Sequence, residues 1–128
     1  MRIKVVFFAM CLVFLAGTAK ADARRVQIVR EAAEQGDPSA QNKLGVFYEI
    51  GASVEQNDAE AVKWFRMAAD QGHGEAMFNL GEMYEAGRGV PQDMKEAMAL
   101  YKKSCEHDCR CGCRRYKELM DEELKRCD

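Results

Sequence analysis

The chain has 128 residues, with 19 basic side chains, 21 acidic side chains and six cysteines. That length accommodates one small domain or a short repeat array, and it excludes two domains with separate cores. Without the N-terminal segment described next, which is basic, the net charge is about −5. This balance argues against nucleic acid as a partner, because phosphate contacts need an excess of Lys and Arg.

Residues 1–21 have the features of a secretory signal peptide. Arg2 and Lys4 precede an apolar run over residues 5–16, and Ala19-Lys20-Ala21 supplies an Ala-x-Ala cleavage site. The 12 residues of the run are fewer than the roughly 20 that a membrane-spanning helix needs. We therefore predict an exported protein, periplasmic or secreted, with no membrane span after cleavage, in a compartment where disulfides persist.

The rest of the chain repeats itself with a period of 36 residues. A shift by that number superimposes Leu44-Gly45 on Leu80-Gly81, Tyr48 on Tyr84, and Gly51 on Gly87. Apolar residues recur four apart in each unit and are followed by a second apolar stripe, which indicates two helices per unit. A match sustained at one period is typical of a stacked repeat array.

In chain order, the pattern predicts helices over residues 23–35, 39–50, 58–71, 75–86, 93–105 and 112–125. The first is a lead-in helix. The next four form two repeat units, over about residues 40–75 and 76–111, and the strongly polar last helix caps the array. The predicted fold class is all-α, a short α-solenoid of about six helices in antiparallel hairpins, with its domain over residues 22–128.

Two stretches, AEQGDPSAQNKLGVFYEIG and AADQGHGEAMFNLGEMYEAGRGVPQDMKEAMALYKKS, resemble Sel1-like repeats. The residues of the second unit that agree with the family pattern are Leu80, Gly81, Tyr84, Gly87, Gly89, Val90, Asp93 and Ala97. The first unit departs from the pattern at Ala52-Ser53 and at Asn57. The resemblance covers about residues 26–104, and it implies an α-solenoid related to tetratricopeptide repeats that serves mainly as a protein-binding scaffold.

Four of the six cysteines lie in SCEHDCRCGC, residues 104–113. The 36-residue shift places Ala69 on Cys105 and Met77 on Cys113, at the end of one predicted helix and the start of the next. Such helix ends can bring two Cα atoms within the roughly 4.4–6.8 Å that a disulfide requires. We predict a Cys105–Cys113 disulfide that clamps the last hairpin. Its eight-residue spacing partly resembles the Hcp-type cysteine-rich exported branch of the family.

The other cysteines leave alternatives open. The pairing of Cys109, Cys111 and Cys127 does not follow from the sequence. Cys109, Cys111 and Cys113 with His107 offer zinc or copper ligands, and a redox-active or intermolecular thiol is a third interpretation. Because their spacing is unlike that of C-x2-C metal pairs, we predict disulfides and no metal or other cofactor.

The predicted function is that of a scaffold or adaptor that binds another protein or a component of the cell envelope. The candidate surface comprises Lys43, Phe47, Asn79 and Met83, with core packing as the favoured interpretation for Phe47 and Met83. With barely two complete units, the array also has ends that a partner or self-association would cover.

Two other functions are considered. One is β-lactam binding or hydrolysis, which the resemblance to the Hcp-type branch implies, and the other is thiol or metal handling through the cysteine cluster at residues 105–113. A serine mechanism lacks its Ser-x-x-Lys motif here, so no catalytic residue is predicted. His73 and His107 are interpreted as exposed turn residues, and Glu82, Glu85 and Glu96 as a solvated helix face.

Overall fold

The computed structural model describes residues 22–126, which form six α-helices and no strand. The helices are α1 (22–34), α2 (Pro38–Ile50), α3 (Asp58–Asp70), α4 (Gly74–Ala86), α5 (Met94–Glu106) and α6 (Arg110–Arg126). The predicted all-α hairpin array is confirmed. The predicted signal peptide and Cys127 lie outside the described residues.

Polar side chains at repeated positions start the helices. Asp37 accepts backbone hydrogen bonds at the N-terminus of α2, Asn57 at that of α3, and Asp93 at that of α5. Each one satisfies N–H groups that the first turn of a helix leaves without a partner. At the start of α4 the same place is taken by His73, whose Nδ1 accepts from the Ala76 N–H at 3.2 Å.

The two helices of each repeat unit pack by close approach of an aromatic ring to a glycine. A Cβ added at Gly45 would lie 2.6 Å from the ring of Phe65, and one added at Gly81 would lie 2.7 Å from the ring of Tyr101. Phe65 and Tyr101 are fully buried and occupy equivalent positions. The mid-helix glycines are therefore needed because any larger side chain would occupy the space of these rings.

The core consists of three apolar clusters that follow one another along the array. The largest, in the middle, joins α3, α4 and α5, and the two smaller ones lie at the ends. Two equivalent hydrogen bonds also tie successive helices together. Arg30 donates to the Tyr48 hydroxyl at 3.2 Å, and Arg66 donates to the Tyr84 hydroxyl at 2.9 Å. The repeat seen in the sequence is thus a repeat of contacts.

The last helix begins earlier than predicted. α6 starts at Arg110 rather than near residue 112, and its first helical hydrogen bond runs from the Cys113 N–H to the Cys109 carbonyl at 3.2 Å. Asp108, with a φ of 60°, reverses the chain just before it. Cys111 consequently lies within the first turn of the helix, and Cys109 immediately precedes it.

Candidate functional site

An open groove of about 540 Å³ runs across the first helices of successive hairpins, α2, α4 and α6. Its lining is mostly charged and consists of Glu49, Glu82, Glu85, Ala86, Arg88 and Arg115. We call this feature the Glu82 groove. Because α4 packs directly against α6, and Arg88 on the loop after α4 reaches back to α2, residues from three hairpins meet in it.

Arg88 closes one end of the groove by bridging two hairpins. Its Nη1 lies 2.9 Å from Glu49 Oε1, and its Nη2 lies 2.8 Å from Asp58 Oδ1. These hydrogen bonds, that with Asp58 above all, raise the pKa of the guanidinium. The next residue, Gly89, must be a glycine because a Cβ there would lie 2.5 Å from the backbone of Asp58.

Arg115 closes the other end by pairing with Glu85. Its guanidinium donates two hydrogen bonds to the Glu85 carboxylate, which also accepts one from the Tyr101 hydroxyl at 2.6 Å. The hydrogen bond from Arg115 is the main cause that lowers the pKa of Glu85, against the opposing effect of burial. Burial and the neighbouring Glu85 carboxylate raise the pKa of Tyr101. The Arg115 side chain thus fixes α6 to α4 through a charged hydrogen bond.

Glu82 lies between these two pairs and forms no hydrogen bond or ion pair with other residues of the described chain, 22–126. Burial is the largest cause that raises its pKa, followed by repulsion from Glu49 and Glu85. Arg115 and Arg88 act in the opposite direction but do not cancel it, since each already pairs with another carboxylate. The groove therefore holds one carboxylate that lacks a cation of its own.

The four residues of the predicted binding surface lie in different environments. Lys43 is exposed on α2, and Phe47 is half-buried against the first core cluster. Asn79 donates a hydrogen bond to the Asn42 side chain at 2.9 Å, between α4 and α2. For Lys43, Phe47 and Asn79 a binding role stays a prediction.

Met83 does not belong to a surface. It is 1% exposed and packs in the middle cluster with Ala61 and Val62 of α3. Among the described residues, α1 alone precedes the unit of the equivalent Phe47, and the same position in the repeat is half-open there. The surface assignment of Met83 is wrong, because a preceding hairpin covers this position.

The cysteine cluster forms two pairs. The sulfur atoms of Cys105 and Cys113 are at bonding distance, with their Cα atoms 4.4 Å apart, and this pair joins the end of α5 to the start of α6. The sulfur atoms of Cys109 and Cys111 are also at bonding distance, with Cα atoms 5.4 Å apart. The first pair has the arrangement that the predicted disulfide requires, and its formation in the protein stays a prediction.

A second open pocket, of about 640 Å³, adjoins this cluster, and we call it the cysteine-turn pocket. It is lined by His73, Gly74, Glu75, Phe78, Asn79, His107, Asp108, Cys109, Arg110 and Cys111. His107 is exposed, as a turn residue is expected to be, but His73 is half-buried and caps α4. Among residues 22–126, no group of three His, Cys, Asp or Glu side chains is arranged to hold a metal ion.

The groove residues were missed by sequence reasoning, and the solvated-face interpretation is wrong for Glu85. Arg88 is visible in the sequence as a charged residue between Gly87 and Gly89, yet its partners lie 30 and 39 residues away. Arg115 is likewise 30 residues from Glu85. One usable signal was present, namely that Arg115 replaces the neutral Asn79 at the equivalent repeat position.

The chain was compared with protein families and with known proteins. The Sel1 repeat family model matches residues 38–73 and 74–109, which together are more than half of the chain. No curated protein matches the sequence. No helix within residues 22–126 is long and apolar enough to cross a membrane.

The solved structures similar to it include the following three. A Sel1 repeat protein from Oxalobacter formigenes is 32% identical with a TM-score of 0.76, and the match covers 90% of this chain and 47% of that one. A protective antigen of uropathogenic Escherichia coli strains, described as displaying an SLR fold, is 42% identical over 66% of this chain and 18% of its own, with a TM-score of 0.64. Helicobacter pylori cysteine rich protein B is 26% identical with a TM-score of 0.66, and the match covers 69% of this chain and 66% of that one.

The chain therefore spans less than two thirds of the length of each of these relatives. The 36-residue period, the glycine and aromatic contacts and the family match all agree. This chain belongs to the Sel1 repeat family, whose members are protein-interaction scaffolds.

Proposed function

We propose that this chain is an exported scaffold that binds another protein by accepting one of its Lys or Arg side chains in the Glu82 groove. The observation that carries the proposal is the carboxylate of Glu82, which is exposed in the groove lining with Glu49 and Glu85 and pairs with no cation among residues 22–126. A partner cation at this place would relieve the repulsion among the three carboxylates. Such a contact gives specificity, because a neutral or acidic side chain would leave the repulsion in place.

The charges of the groove support a basic partner. Arg88 and Arg115 are each engaged by two carboxylates, so their charge is already compensated. The acidic balance of the whole chain adds a weaker long-range attraction for a basic segment. The groove also has the scale of a peptide-sized contact, since it crosses three hairpins.

Export is supported by two features that lie far apart in the chain. The N-terminal 21 residues have the composition of a signal peptide, and four cysteines near the other end are placed at bonding distance in pairs. Disulfides of this kind persist in the periplasm or outside the cell. Cell fractionation followed by N-terminal sequencing tests this part, with a mature protein that begins at Asp22 as the expected result.

Lys43, Phe47 and Asn79 lie on the two helices that carry the groove carboxylates, but none of them lines the Glu82 groove. Lys43 is exposed on α2, and Asn79 lines the pocket beside the cysteine cluster. They would add contacts to the partner outside the groove. Their substitution is expected to weaken binding less than a charge change at Glu82.

The proposal is tested by photo-crosslinking in the native host. A photoreactive residue is placed at Ala86 in the groove, and the matched control carries it at Met67, which is exposed on α3 away from the groove lining. We expect one discrete adduct from position 86, with a Lys or Arg of the partner next to the linked residue. The adduct should be lost when Glu82→Lys is introduced into the same chain.

Two outcomes contradict the proposal. One is labelling of equal strength from position 67, which would mean unspecific contact. The other is an adduct from position 86 that persists with Glu82→Lys, which would mean that the carboxylate is not used. Thermal unfolding followed by circular dichroism checks that the Glu82→Lys chain is folded.

A further inference from the structure

The pair Cys109–Cys111 holds no two elements of the fold together. Cys105–Cys113 already connects α5 to α6, and the second pair lies wholly inside the loop that the first one closes. Its two cysteines are separated by a single residue, whereas those of the outer pair are eight positions apart. A shorter loop removes less entropy from the unfolded chain, so this bond contributes less to stability and is reduced at a smaller cost.

The position of Cys109 in the repeat is that of a helix N-cap. Its equivalents are Asp37 and His73, both of which accept backbone hydrogen bonds from the helix that follows. Cys109 stands directly before α6, and Cys111 lies within its first turn. A helix N-terminus favours the thiolate over the thiol, which is the form that attacks or leaves in disulfide exchange.

A second helix N-terminus meets the same place. Gly74, the first residue of α4, is so close to the cysteine turn that an added Cβ would lie 2.6 Å from the His107 carbonyl and 3.2 Å from Cys109 Cβ. The N-termini of α4 and α6 therefore both line the cysteine-turn pocket. Their combined partial positive charge favours an anionic sulfur there.

The cysteine-turn pocket makes the Cys109–Cys111 pair accessible and surrounds it with side chains. Its charged or titratable groups are His73, Glu75, His107, Asp108 and Arg110, and Phe78 gives it an apolar wall. The pocket is open and both cysteines are partly exposed, so a cysteine on an extended or unfolded chain can reach them. Ser104 and Gly112 are buried and pack against each other at the joint between α5 and α6.

We propose that Cys109–Cys111 is a thiol–disulfide exchange centre that transfers its disulfide to cysteine pairs of unfolded client proteins, while Cys105–Cys113 stays oxidised and holds the joint. This activity goes beyond partner binding by the Glu82 groove and does not depend on it. Its substrate class is a protein dithiol. A low-molecular-weight disulfide, such as oxidised glutathione, restores the oxidised pair.

The exchange proceeds in two balanced steps. A client thiolate attacks one sulfur of the pair and forms a mixed disulfide, while the Cys109–Cys111 bond breaks and the other sulfur leaves as a thiolate at the start of α6. The client's second thiolate then attacks its own sulfur in the mixed disulfide, which forms the client disulfide and releases the remaining cysteine as a thiolate. Two electrons pass from client to pair, and the protons lost by the client thiols are available to the two new thiolates.

The first test compares the redox equilibria of the two pairs in the full chain. The protein is equilibrated with reduced and oxidised glutathione, alkylated, and mapped by mass spectrometry. We expect Cys109–Cys111 to be half-reduced at a value of [GSH]²/[GSSG] at least about tenfold lower than the value that half-reduces Cys105–Cys113. Reduction of the two pairs together, or of Cys109–Cys111 last, overturns the proposal.

The second test measures turnover with reduced, unfolded ribonuclease A as the probe. In a glutathione buffer, we expect the chain to accelerate recovery of native ribonuclease, and C109S/C111S to lose that acceleration. The matched control, C105S/C113S, retains it at a temperature where circular dichroism shows a folded chain. Equal rates for the wild-type chain and C109S/C111S overturn the proposal.

A trapping variant keeps the test decisive if C105S/C113S does not fold. The single substitution Cys111→Ser removes the cysteine that would attack a mixed disulfide at Cys109. A mixed disulfide formed at Cys109 is therefore not resolved by position 111. We expect Cys111→Ser incubated with oxidised glutathione to accumulate a glutathione adduct at Cys109. Absence of that adduct in a folded Cys111→Ser chain contradicts the proposed accessibility.

Discussion

The middle and last interhelical joints have the same backbone but are held by different side chains. Between α3 and α4, the Gly72 N–H donates to the Ala69 carbonyl, and between α5 and α6 the Asp108 N–H donates to the Cys105 carbonyl in the same way. The middle joint is secured by burial, with Ala69 8% and Met77 6% exposed. The equivalent residues of the last joint are Cys105 and Cys113, which are paired.

The difference follows from position in the array. The middle joint has hairpins on both sides that exclude water from it, whereas α6 has no further helix after it among the described residues. A joint that neighbouring helices cover less gains less from apolar burial, and a covalent link compensates by restricting the unfolded chain. Two variants, Met77→Ala and C105S/C113S, test whether burial and covalent closure are indeed alternatives.

The largest effect is expected from Met77→Ala. Removing a buried methionine side chain costs its transfer energy and leaves a cavity, which together lower the free energy of unfolding by about 2–4 kcal/mol. Met120→Ala, at an exposed position of α6, is the control and should change it by less than about 0.5 kcal/mol. Chemical denaturation measures both. Similar values for the two variants would show that burial does not secure the middle joint.

The next effect is that of C105S/C113S. Loss of the crosslink should lower the free energy of unfolding by about 2–3 kcal/mol, because the unfolded chain regains the entropy of an open loop. The control, C109S/C111S, should lose less, since its loop is shorter. Thermal unfolding under non-reducing conditions distinguishes them. The comparison between the joints fails if C109S/C111S is the less stable of the two.

A smaller effect of opposite sign is expected from Asp108→Gly. Gly36 and Gly72 turn the first two joints with φ values of 96° and 85°, but the last joint uses Asp108 at a φ of 60°. Side chains other than glycine are disfavoured there, so the substitution should raise the free energy of unfolding by about 0.5–1 kcal/mol. The reverse change, Gly72→Asp, should lower it. Destabilisation by Asp108→Gly would mean that the Asp108 side chain contributes to the joint.

The fold was predictable because it depends on contacts that recur every 36 residues. The glycines at 45 and 81, the aromatic residues that cover them and the N-caps all recur at equivalent positions of the sequence repeat. Helix bounds follow from such local signals within about two residues. The start of α6 was misplaced because its N-cap position is a cysteine, which is not a usual capping residue.

The groove was not predictable in the same way. The pairs formed by Arg88 and Arg115 connect different hairpins across 30 or more residues, and their existence depends on how the hairpins stack. Burial of Met83 depends likewise on α3, which covers it in the middle unit, whereas the equivalent Phe47 follows α1 alone within the described range 22–126. Periodicity identifies the face of a helix, but the neighbour that covers that face is a property of the assembled array.

The smallest predicted effect extends the comparison to the groove, where Glu82 of α4 and Glu118 of α6 occupy equivalent positions. Glu118 lies 3.2 Å from Arg115 Nη1, while Glu82 pairs with no cation in the part of the chain that the structure describes and has a raised pKa. Above that raised pKa, ionised Glu82 destabilises the folded state. Glu82→Gln should therefore stabilise the protein at neutral pH, and the gain should decline as the pH falls and vanish below about 4.5, where both states are protonated.

Glu118→Gln, which removes an ion-pair partner instead, should not stabilise the protein at any pH. Thermal unfolding of both variants and the wild-type chain between neutral and acidic pH measures the difference. A gain for Glu82→Gln that persists at acidic pH would exclude the ionised carboxylate as its cause, since that charge is then absent. A gain confined to neutral pH would show that the ionised Glu82 carboxylate is its cause. That carboxylate is the group that the proposed basic partner would neutralise.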